Sequence, residues 1–119
     1  MAINKVLFSG NLTRDAELRH VGQDKLLGFF TLAVNQGHKD AATGEYKERT
    51  DFVRIKCWGQ LADNAAKYLG KGSKVFVEAR VQTGSYDKDG QKEFTIDFVA
   101  DSIEYLHTVP PAGQQDDQN

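Results

Sequence analysis

Hydrophobic and polar residues alternate along much of this chain, with the period of two that is typical of β-strands. The alternating segments are "INKVLFSGN" (Ile3 to Asn11), "KLLGFFTLAV" (Lys25 to Val34), "TDFVRIKCWG" (Thr50 to Gly59), "SKVFVEARVQTGSY" (Ser73 to Tyr86) and "EFTIDFVADSIEYL" (Glu93 to Leu106). We therefore predict five strands. In the last strand, the alternation indicates a change of register before Ile103.

One segment has a different period. In "GQLADNAAKYLGKG" (Gly59 to Gly72), the apolar residues recur at helical spacing, at Leu61, Ala65, Tyr68 and Leu69. This spacing predicts an amphipathic helix whose apolar stripe, including the Tyr68 ring, packs on the core. Gly70 is placed to end the helix in a left-handed cap. In the second strand, Gly28 suggests a bulge or a bend.

Turn signals separate the strands. Asp87 to Gly90 ("DKDG") indicates a hairpin after the fourth strand. A polar excursion from Asn35 to Arg49, with Thr43-Gly44 near its middle, suits a protruding hairpin after the second. Three strands, a helix and two more strands is the element order of an OB-fold. The predicted class is therefore all-β with one helix: a five-stranded, partly open Greek-key barrel with the helix between strands three and four.

The third strand is unusual because its polar face carries aromatic rings. Val53, Ile55 and Cys57 would face the core, and the opposite face would hold Phe52, Arg54, Lys56 and Trp58. Strands two and three commonly form the ligand surface of an OB-fold. Exposed rings can stack on nucleobases while the cations between them meet phosphates. The alternative is that the two rings are buried under a loop or at an oligomer interface.

Rings and cations also occur together in the two predicted hairpins. The residues concerned are His38, Lys39, Tyr46, Lys47 and Arg49 in the first hairpin, and Tyr86 and Lys88 in the second. We interpret them as an extension of the same ligand surface, with solvated hairpins carrying incidental aromatics as the alternative. Phe76 differs, because it shares a face with Glu78 as well as with basic residues. That mixture of charges fits a contact between subunits better than a surface that binds the phosphate backbone.

Composition excludes several classes of protein. The 119 residues are 39% hydrophobic and 27% charged, with one cysteine, Cys57, so an internal disulfide framework and a multi-cysteine zinc site are both excluded. The three histidines are scattered, and no catalytic motif is present. We predict a binding protein that is not an enzyme and needs no metal or cofactor. Its apolar runs are too short for a signal peptide or a membrane span, which predicts a cytoplasmic chain without membrane contact.

The charge of the chain is almost balanced. The net charge is −2, and residues 1–115 carry 15 basic and 15 acidic groups, because Asp116 and Asp117 are two of the 17 acids. Attraction to a polyanion must therefore come from local patches.

Three stretches resemble the bacterial single-stranded DNA-binding protein family. They are "NKVLFSGNLTRDAELR" (Asn4 to Arg19), "ATGEYKERTDFVRIKCWGQLADNAAKYLGKGS" (Ala42 to Ser73) and "VFVEARVQT" (Val75 to Thr83), and the resemblance covers roughly residues 3–106. It implies an OB-fold subunit of a homotetramer. The implied function is sequence-independent binding and protection of single-stranded DNA in replication, recombination and repair, in the nucleoid of a bacterial cell.

The resemblance also implies roles for individual residues. The family's stacking positions fall at His38, Phe52, Trp58 and Tyr86; tryptophan is usual at the first and last of these, and phenylalanine at Trp58. Matching basic positions are Lys5, Arg54 and Lys71, whereas Gln60 replaces a common lysine. With the residues read from the strand and hairpins, the predicted DNA-binding set is Phe52, Trp58, Tyr86, His38, Arg54, Lys56, Lys5, Lys71, Lys39, Lys47 and Arg49. The predicted subunit contacts are Asn4, Val6, Phe8, Val53 and Phe76.

The composition changes after residue 107. We predict a DNA-binding domain at 1–107 and a short disordered tail at 108–119, which is rich in Pro, Gln and Asp. Long members of the family end in a Pro-Phe pair that recruits replication and recombination partners, whereas this chain ends Gln118-Asn119. Either recruitment is weak, or the chain serves a plasmid, phage or DNA-uptake role. The remaining alternatives are a primosome-type dimer, an RNA-binding module, and an adaptor for protein or sugar.

Overall fold

Strand pairing closes a barrel in the computed structural model, which describes residues 2–112. The strands are β1 (Val6–Leu12), β2 (Glu17–Val21), β3 (Lys25–Lys39), β4 (Tyr46–Trp58), β5 (Lys74–Lys88) and β6 (Gln91–His107), and helix α1 (Gln60–Tyr68) follows β4. Antiparallel pairing joins β1 to β5, β5 to β6 and β4 to β3. Two short seams complete the ring: β4 pairs in parallel with β6 at Ile55 and Lys56, and β1 pairs with β3 at Asn11 and Leu12. The predicted OB barrel is confirmed.

The short strand β2 was not predicted. It pairs with residues 25–29 of β3, and β1 pairs with residues 32 and 33 along the same edge of that strand. β1 and β2 therefore follow one another along this edge as two halves of a bent strand. Only Leu18 of β2 packs against the core, so its sequence carries no alternating apolar face.

Both predicted hairpins are present, but their arms are strands rather than polar loops. β3 and β4 stay paired out to Lys39 and Tyr46, which leaves a connection of residues 40–45. β5 and β6 stay paired out to Lys88 and Gln91. The connecting residues, Asp89 and Gly90, have φ angles of 52° and 80°, as a two-residue turn with two left-handed positions requires. The register change in β6 is also confirmed, opposite the step from Glu78 to Ala79.

The core lies between the inner face of the barrel and α1. Its fully buried side chains include Leu32, Ile55, Leu69, Val75 and Val77. The helix contributes Ala62 and Ala65, which lets it approach the barrel closely.

Gly28 is needed for this close approach and not for a bulge. The pairing of β3 with β2 and β4 runs through Gly28 without a shift, so of the predicted bulge or bend the bulge is wrong. A Cβ atom at position 28 would lie 2.9 Å from the Cβ of Ala62 and 3.0 Å from Sγ of Cys57. The residue is therefore fixed by the packing of α1 on the barrel.

The end of α1 also differs from the prediction. Leu69 follows the helix in an extended conformation, and the left-handed glycine is Gly72, with φ 93°, instead of Gly70. Gly70 is required because the carbonyl oxygen of Pro110 lies 2.5 Å from the place of its missing Cβ. The Tyr68 ring, predicted to pack in the core, is 51% exposed because it sits at the rim of the helix stripe.

Residues 108–112, here called the C-terminal strap, are bound to the barrel. The Val109 N–H donates to Oγ of Ser73 at 2.9 Å, and that hydroxyl donates back to the Val109 carbonyl at 3.0 Å. The Gly70 N–H also donates to this carbonyl, at 2.7 Å. Residues 108–112 are the first residues of the predicted tail, 108–119. The rest of the predicted tail, residues 113–119, lies outside the described residues.

No helix within residues 2–112 is long and apolar enough to cross a bilayer.

Candidate nucleic-acid interface

The outer face of β3 and β4 carries the rings and cations that the sequence assigns to it. Along β4 this face holds Phe52, Arg54, Lys56 and Trp58, which lie opposite Ala33, Thr31, Phe29 and Leu27 of β3. The Phe52 ring is 69% exposed and the Trp58 ring is 39% exposed, whereas Ile55 and Cys57 between them are fully buried. The predicted alternation is confirmed, and neither ring is sealed inside this chain.

Trp58 stands where the chain leaves the sheet. Gly59 has φ 64° and donates its N–H to the carbonyl of Leu26 at 2.9 Å, which ends the strand and turns the chain into α1. A groove of about 370 Å³ lies beside the indole, and Lys25 and Leu26 also line it. An exposed indole next to an open groove and a lysine is well placed to stack on a base.

The cations of the predicted set differ in their surroundings. Ion pairs join Lys5 to Glu78, Lys47 to Asp40, Arg49 to Asp51 and Lys56 to Asp97, with N–O distances of 3.2, 3.6, 3.2 and 3.3 Å. Among the described residues, Arg54, Lys39 and Lys71 take part in none of the ion pairs. Exposed pairs of this kind are weak, so a phosphate can replace the carboxylate. Lysines and arginines that are ion-paired must nevertheless release a carboxylate before they bind a phosphate, whereas the unpaired ones need not.

The first hairpin separates the predicted residues onto two faces. Lys39 and Tyr46 lie opposite each other on the same face as Phe52, whereas His38 and Lys47 form a pair on the other face. Arg49 lies on the His38 face as well, opposite Gln36. The structure therefore does not bring His38, Lys47 and Arg49 onto the Phe52 surface.

The remaining predicted DNA contacts lie on other elements. Tyr86 is exposed on β5, in the arm of the second hairpin, opposite Glu93. Lys5 precedes β1, and Lys71 lies in the turn after α1.

The predicted subunit contacts have partners within the chain. The Asn4 amide donates to the Val81 carbonyl at 2.8 Å and accepts the Val81 N–H at 2.9 Å, so it extends the ladder between β1 and β5. The Phe8 ring stands edge-on to Phe98, with centroids 5.2 Å apart. Val6, Val53 and Phe76 are half-buried. Because β1 meets β3 only at residues 11 and 12, residues 6–10 leave one backbone edge open.

A cluster that the sequence reasoning missed lies beside the aromatic face. A cleft of about 400 Å³, here called the arginine cleft, is lined by Arg14, Arg19, Arg54, Phe29, Asp15 and Glu17 among others. The guanidinium carbons of Arg19 and Arg54 lie 4.7 and 4.5 Å from the centroid of the Phe29 ring. Phe29 is on the outer face, yet it is only 7% exposed because these side chains cover it. Arg14 and Arg19 were missed because β2, which carries Arg19, was itself not predicted.

The thiol of Cys57, which lies beneath this face, is unreactive at neutral pH. Burial raises the pKa of the Cys57 thiol from 9.0 to about 11, so the side chain is protonated at neutral pH. A protonated, buried thiol is a poor nucleophile and a poor metal ligand. Within the described part of the chain, His, Cys, Asp and Glu residues form no group of three that would hold a metal ion.

Comparison with known proteins gives consistent matches. The model of the "Single-strand binding protein family" matches residues 3–106. "Single-stranded DNA-binding protein 1" of Lactococcus lactis is 41% identical over 114 residues, which are 95% of this chain and 74% of that protein. The protein of the same name from Chlorobaculum tepidum is 38% identical over 117 residues, covering 97% of this chain and 72% of the relative.

Solved structures match the fold. A Plasmodium falciparum SSB in complex with ssDNA superposes with a TM-score of 0.78 at 24% identity, over 89% of this chain and 96% of that one. A deletion mutant of the single-stranded DNA binding protein from Thermus aquaticus gives a TM-score of 0.78 at 25% identity. That match covers 90% of this chain and 54% of the other.

Proposed function

Because the chain belongs to the single-strand binding protein family, we propose that it binds single-stranded DNA without strong sequence preference and protects it during replication, recombination and repair. The carrying observation is the row of Phe52, Arg54, Lys56 and Trp58 on the outer face of β4, in which both rings are exposed. Membership of this family makes the chain a DNA-binding protein and not an enzyme.

Binding combines two kinds of contact. Exposed rings stack on successive bases, which is tolerant of sequence because every base has a π-face. Cations neutralise backbone phosphates and release counterions, which makes affinity fall as salt rises. The rings of Phe52 and Trp58, with Tyr86 on the second hairpin, supply the stacking. Arg54, Lys39 and Lys71 are the predicted cations that need not first leave a carboxylate.

The protein acts as a homotetramer in the cytoplasm, associated with the nucleoid. The open edge of β1 supports an assembly, because unpaired strand edges readily pair with another chain. The exposed Leu7 side chain lies on this strand and adds apolar surface to the same region. Replication and recombination proteins are further partners in this proposal.

Trp58 provides a direct test, because it is the only tryptophan in the sequence. Titration with oligo(dT) is expected to quench its fluorescence, and Trp58→Ala is expected to weaken binding by about 1–3 kcal/mol for each base that it stacks. Tyr68→Ala is the matched control: it removes another exposed ring, on α1, and is expected to leave the affinity unchanged. Emission that stays constant at saturating oligo(dT) would contradict the proposed surface.

The length of the oligonucleotide separates this function from the alternatives. A single-strand binding protein gains affinity as oligo(dT) becomes long enough to engage more of its rings and cations. An adaptor for protein or sugar shows no dependence on length, and an RNA-binding module prefers oligo(U) to oligo(dT). Either of those results would replace the proposal.

A further inference from the structure

The arginines of the chain fall into two groups. Arg49 is paired with Asp51, and Arg80 is paired with Asp101. The other three, Arg14, Arg19 and Arg54, occur in none of the ion pairs between described residues, and all three line the arginine cleft. Arginines without carboxylates that converge from the 13–16 loop, β2 and β4 form a local positive patch on a chain with almost no net charge.

Phe29 fixes two of these side chains. Its ring is almost fully buried, and the guanidinium groups of Arg19 and Arg54 rest against it at 4.7 and 4.5 Å. A guanidinium held against a ring is attracted by the π-electrons and keeps N–H donors for a second partner. Because both cations contact this ring, it restricts the position of each guanidinium group before any ligand arrives. Preorganised arginines of this kind suit the oxygens of a phosphate.

The acidic residues of the cleft, Asp15 and Glu17, offset only part of the charge of its three arginines. One oxygen of Asp15 accepts the Lys71 N–H at 2.8 Å and the other accepts the Ala112 N–H at 3.1 Å. The carboxylate is therefore held by two backbone donors rather than by an arginine. Glu17 is exposed and forms no ion pair with a described residue.

The cleft is continuous with the aromatic face. Arg54 lies on β4 between Phe52 and Lys56, Phe29 lies opposite Lys56 on β3, and Arg19 lies on β2, the next strand. We infer that the arginine cleft binds a backbone phosphate of single-stranded DNA. The nucleic acid then also crosses β3, from Arg54 towards Arg19 and Arg14, beside the rings of β4. This inference rests on the proposed function and adds a phosphate site to it.

The salt dependence of binding tests the inference. Each phosphate contact contributes about 0.7 to the slope of log affinity against log salt for single strands. Arg19→Gln and Arg14→Gln are each expected to reduce the slope by up to about that amount. Arg80→Gln is the matched control, because Arg80 is paired with Asp101 and does not line the cleft. Glu17→Gln is expected to have the opposite effect and to raise the affinity.

An abasic oligonucleotide separates phosphate contacts from stacking. It keeps the sugar–phosphate chain and lacks the bases, so Arg19→Gln is expected to weaken its binding while Phe52→Ala has no effect. Arg19→Lys keeps the positive charge, so this variant is expected to retain most of the wild-type slope of log affinity against log salt. Thermal unfolding of each variant checks that the barrel is intact, and Arg14→Gln carries the test if Arg19→Gln does not fold.

The outcomes distinguish the inferred phosphate site from the proposed function. If the wild-type protein binds oligo(dT) and quenches Trp58, but Arg14→Gln and Arg19→Gln keep the slope of Arg80→Gln, then the inference is overturned and the proposed function stands. If the wild-type protein does not bind oligo(dT) at low salt, the proposed function fails, and the inference fails with it.

Discussion

At the scale of single residues, β4 alternates between two chemistries. Each inward residue of its second half is apolar, and each outward residue carries a ring or a charge. Cys57 and Trp58 are the clearest contrast: the thiol is fully buried, and the neighbouring indole borders an open groove. The buried side chains anchor the strand in the core. The rings on its outer face are therefore held in position before a base binds.

Because the Cys57 thiol is buried, the stability of the fold is expected to fall at alkaline pH. Its pKa is about 11 in the folded chain and 9.0 as the reference value for an unfolded one. The unfolded state therefore loses this proton first, and the contribution of Cys57, roughly 3 kcal/mol at most, is complete below pH 9.0 and is lost as the pH rises to about 11. Urea unfolding across this range is expected to show the decline. Cys57→Ala is expected to remove this part of the decline, because tyrosines and lysines account for the rest.

At the scale of elements, hydropathy identifies the strands that border the core. Alternation is enough for β1, β3, β4, β5 and β6, because each buries one face over most of its barrel segment. It is not enough for β2, where Leu18 is the one residue packed against the core. Strand β2 exists because β3 offers it a backbone edge, and a pairing partner is not visible in the sequence of either strand.

Alternation also does not reveal where a core ends. Phe94, Ile96 and Phe98 share one face of β6, but Phe98 packs against the core whereas Phe94 and Ile96 are exposed. The arm of the hairpin extends beyond the barrel at that point, and no other element of residues 2–112 covers it. The site was predictable to a similar degree. The face of β4 follows from local alternation, whereas the arginine cleft depends on the meeting of three separate segments.

The C-terminal strap provides a test at this scale. Ser73 is fully buried, and its hydroxyl both accepts the Val109 N–H and donates to the Val109 carbonyl. Ser73→Ala is expected to lower the free energy of unfolding by about 1–3 kcal/mol, because it leaves the partly buried Val109 N–H without a partner, whereas the Val109 carbonyl still accepts the Gly70 N–H. Ser85→Ala, at an exposed position of β5, is expected to have little effect. Equal stabilities for the two variants in urea would show that the strap does not depend on this hydroxyl.

At the scale of the whole molecule, the arrangement of charge explains how a nearly neutral chain can bind a polyanion. The ion pairs of the described residues engage Lys5, Lys47, Lys56, Lys67, Arg49 and Arg80. The arginines that these pairs leave over converge on one cleft beside the aromatic face. The positive electrostatic potential is therefore confined to this side of the barrel. High salt is expected to weaken electrostatic attraction here more than elsewhere on the surface.

The proposed assembly can be tested at the open edge of β1. Leu7 is 55% exposed on this strand, so Leu7→Lys places a charge beside the edge that the homotetramer is proposed to use. The variant is expected to have a smaller mass in light scattering than the wild-type protein. Tyr68→Lys, on α1, is the control that keeps the mass. A wild-type mass of one or two chains would contradict the homotetramer itself.

The position of Ala112 has a practical consequence for labelling. Asp15 accepts the backbone N–H of this residue and also lines the arginine cleft, so Ala112 lies next to the inferred phosphate site. A dye or a fused reporter attached directly after this point begins close to the nucleic acid. An attachment before β1 begins beside β5 instead. Energy transfer from a labelled oligonucleotide is therefore expected to be stronger to the first dye than to the second.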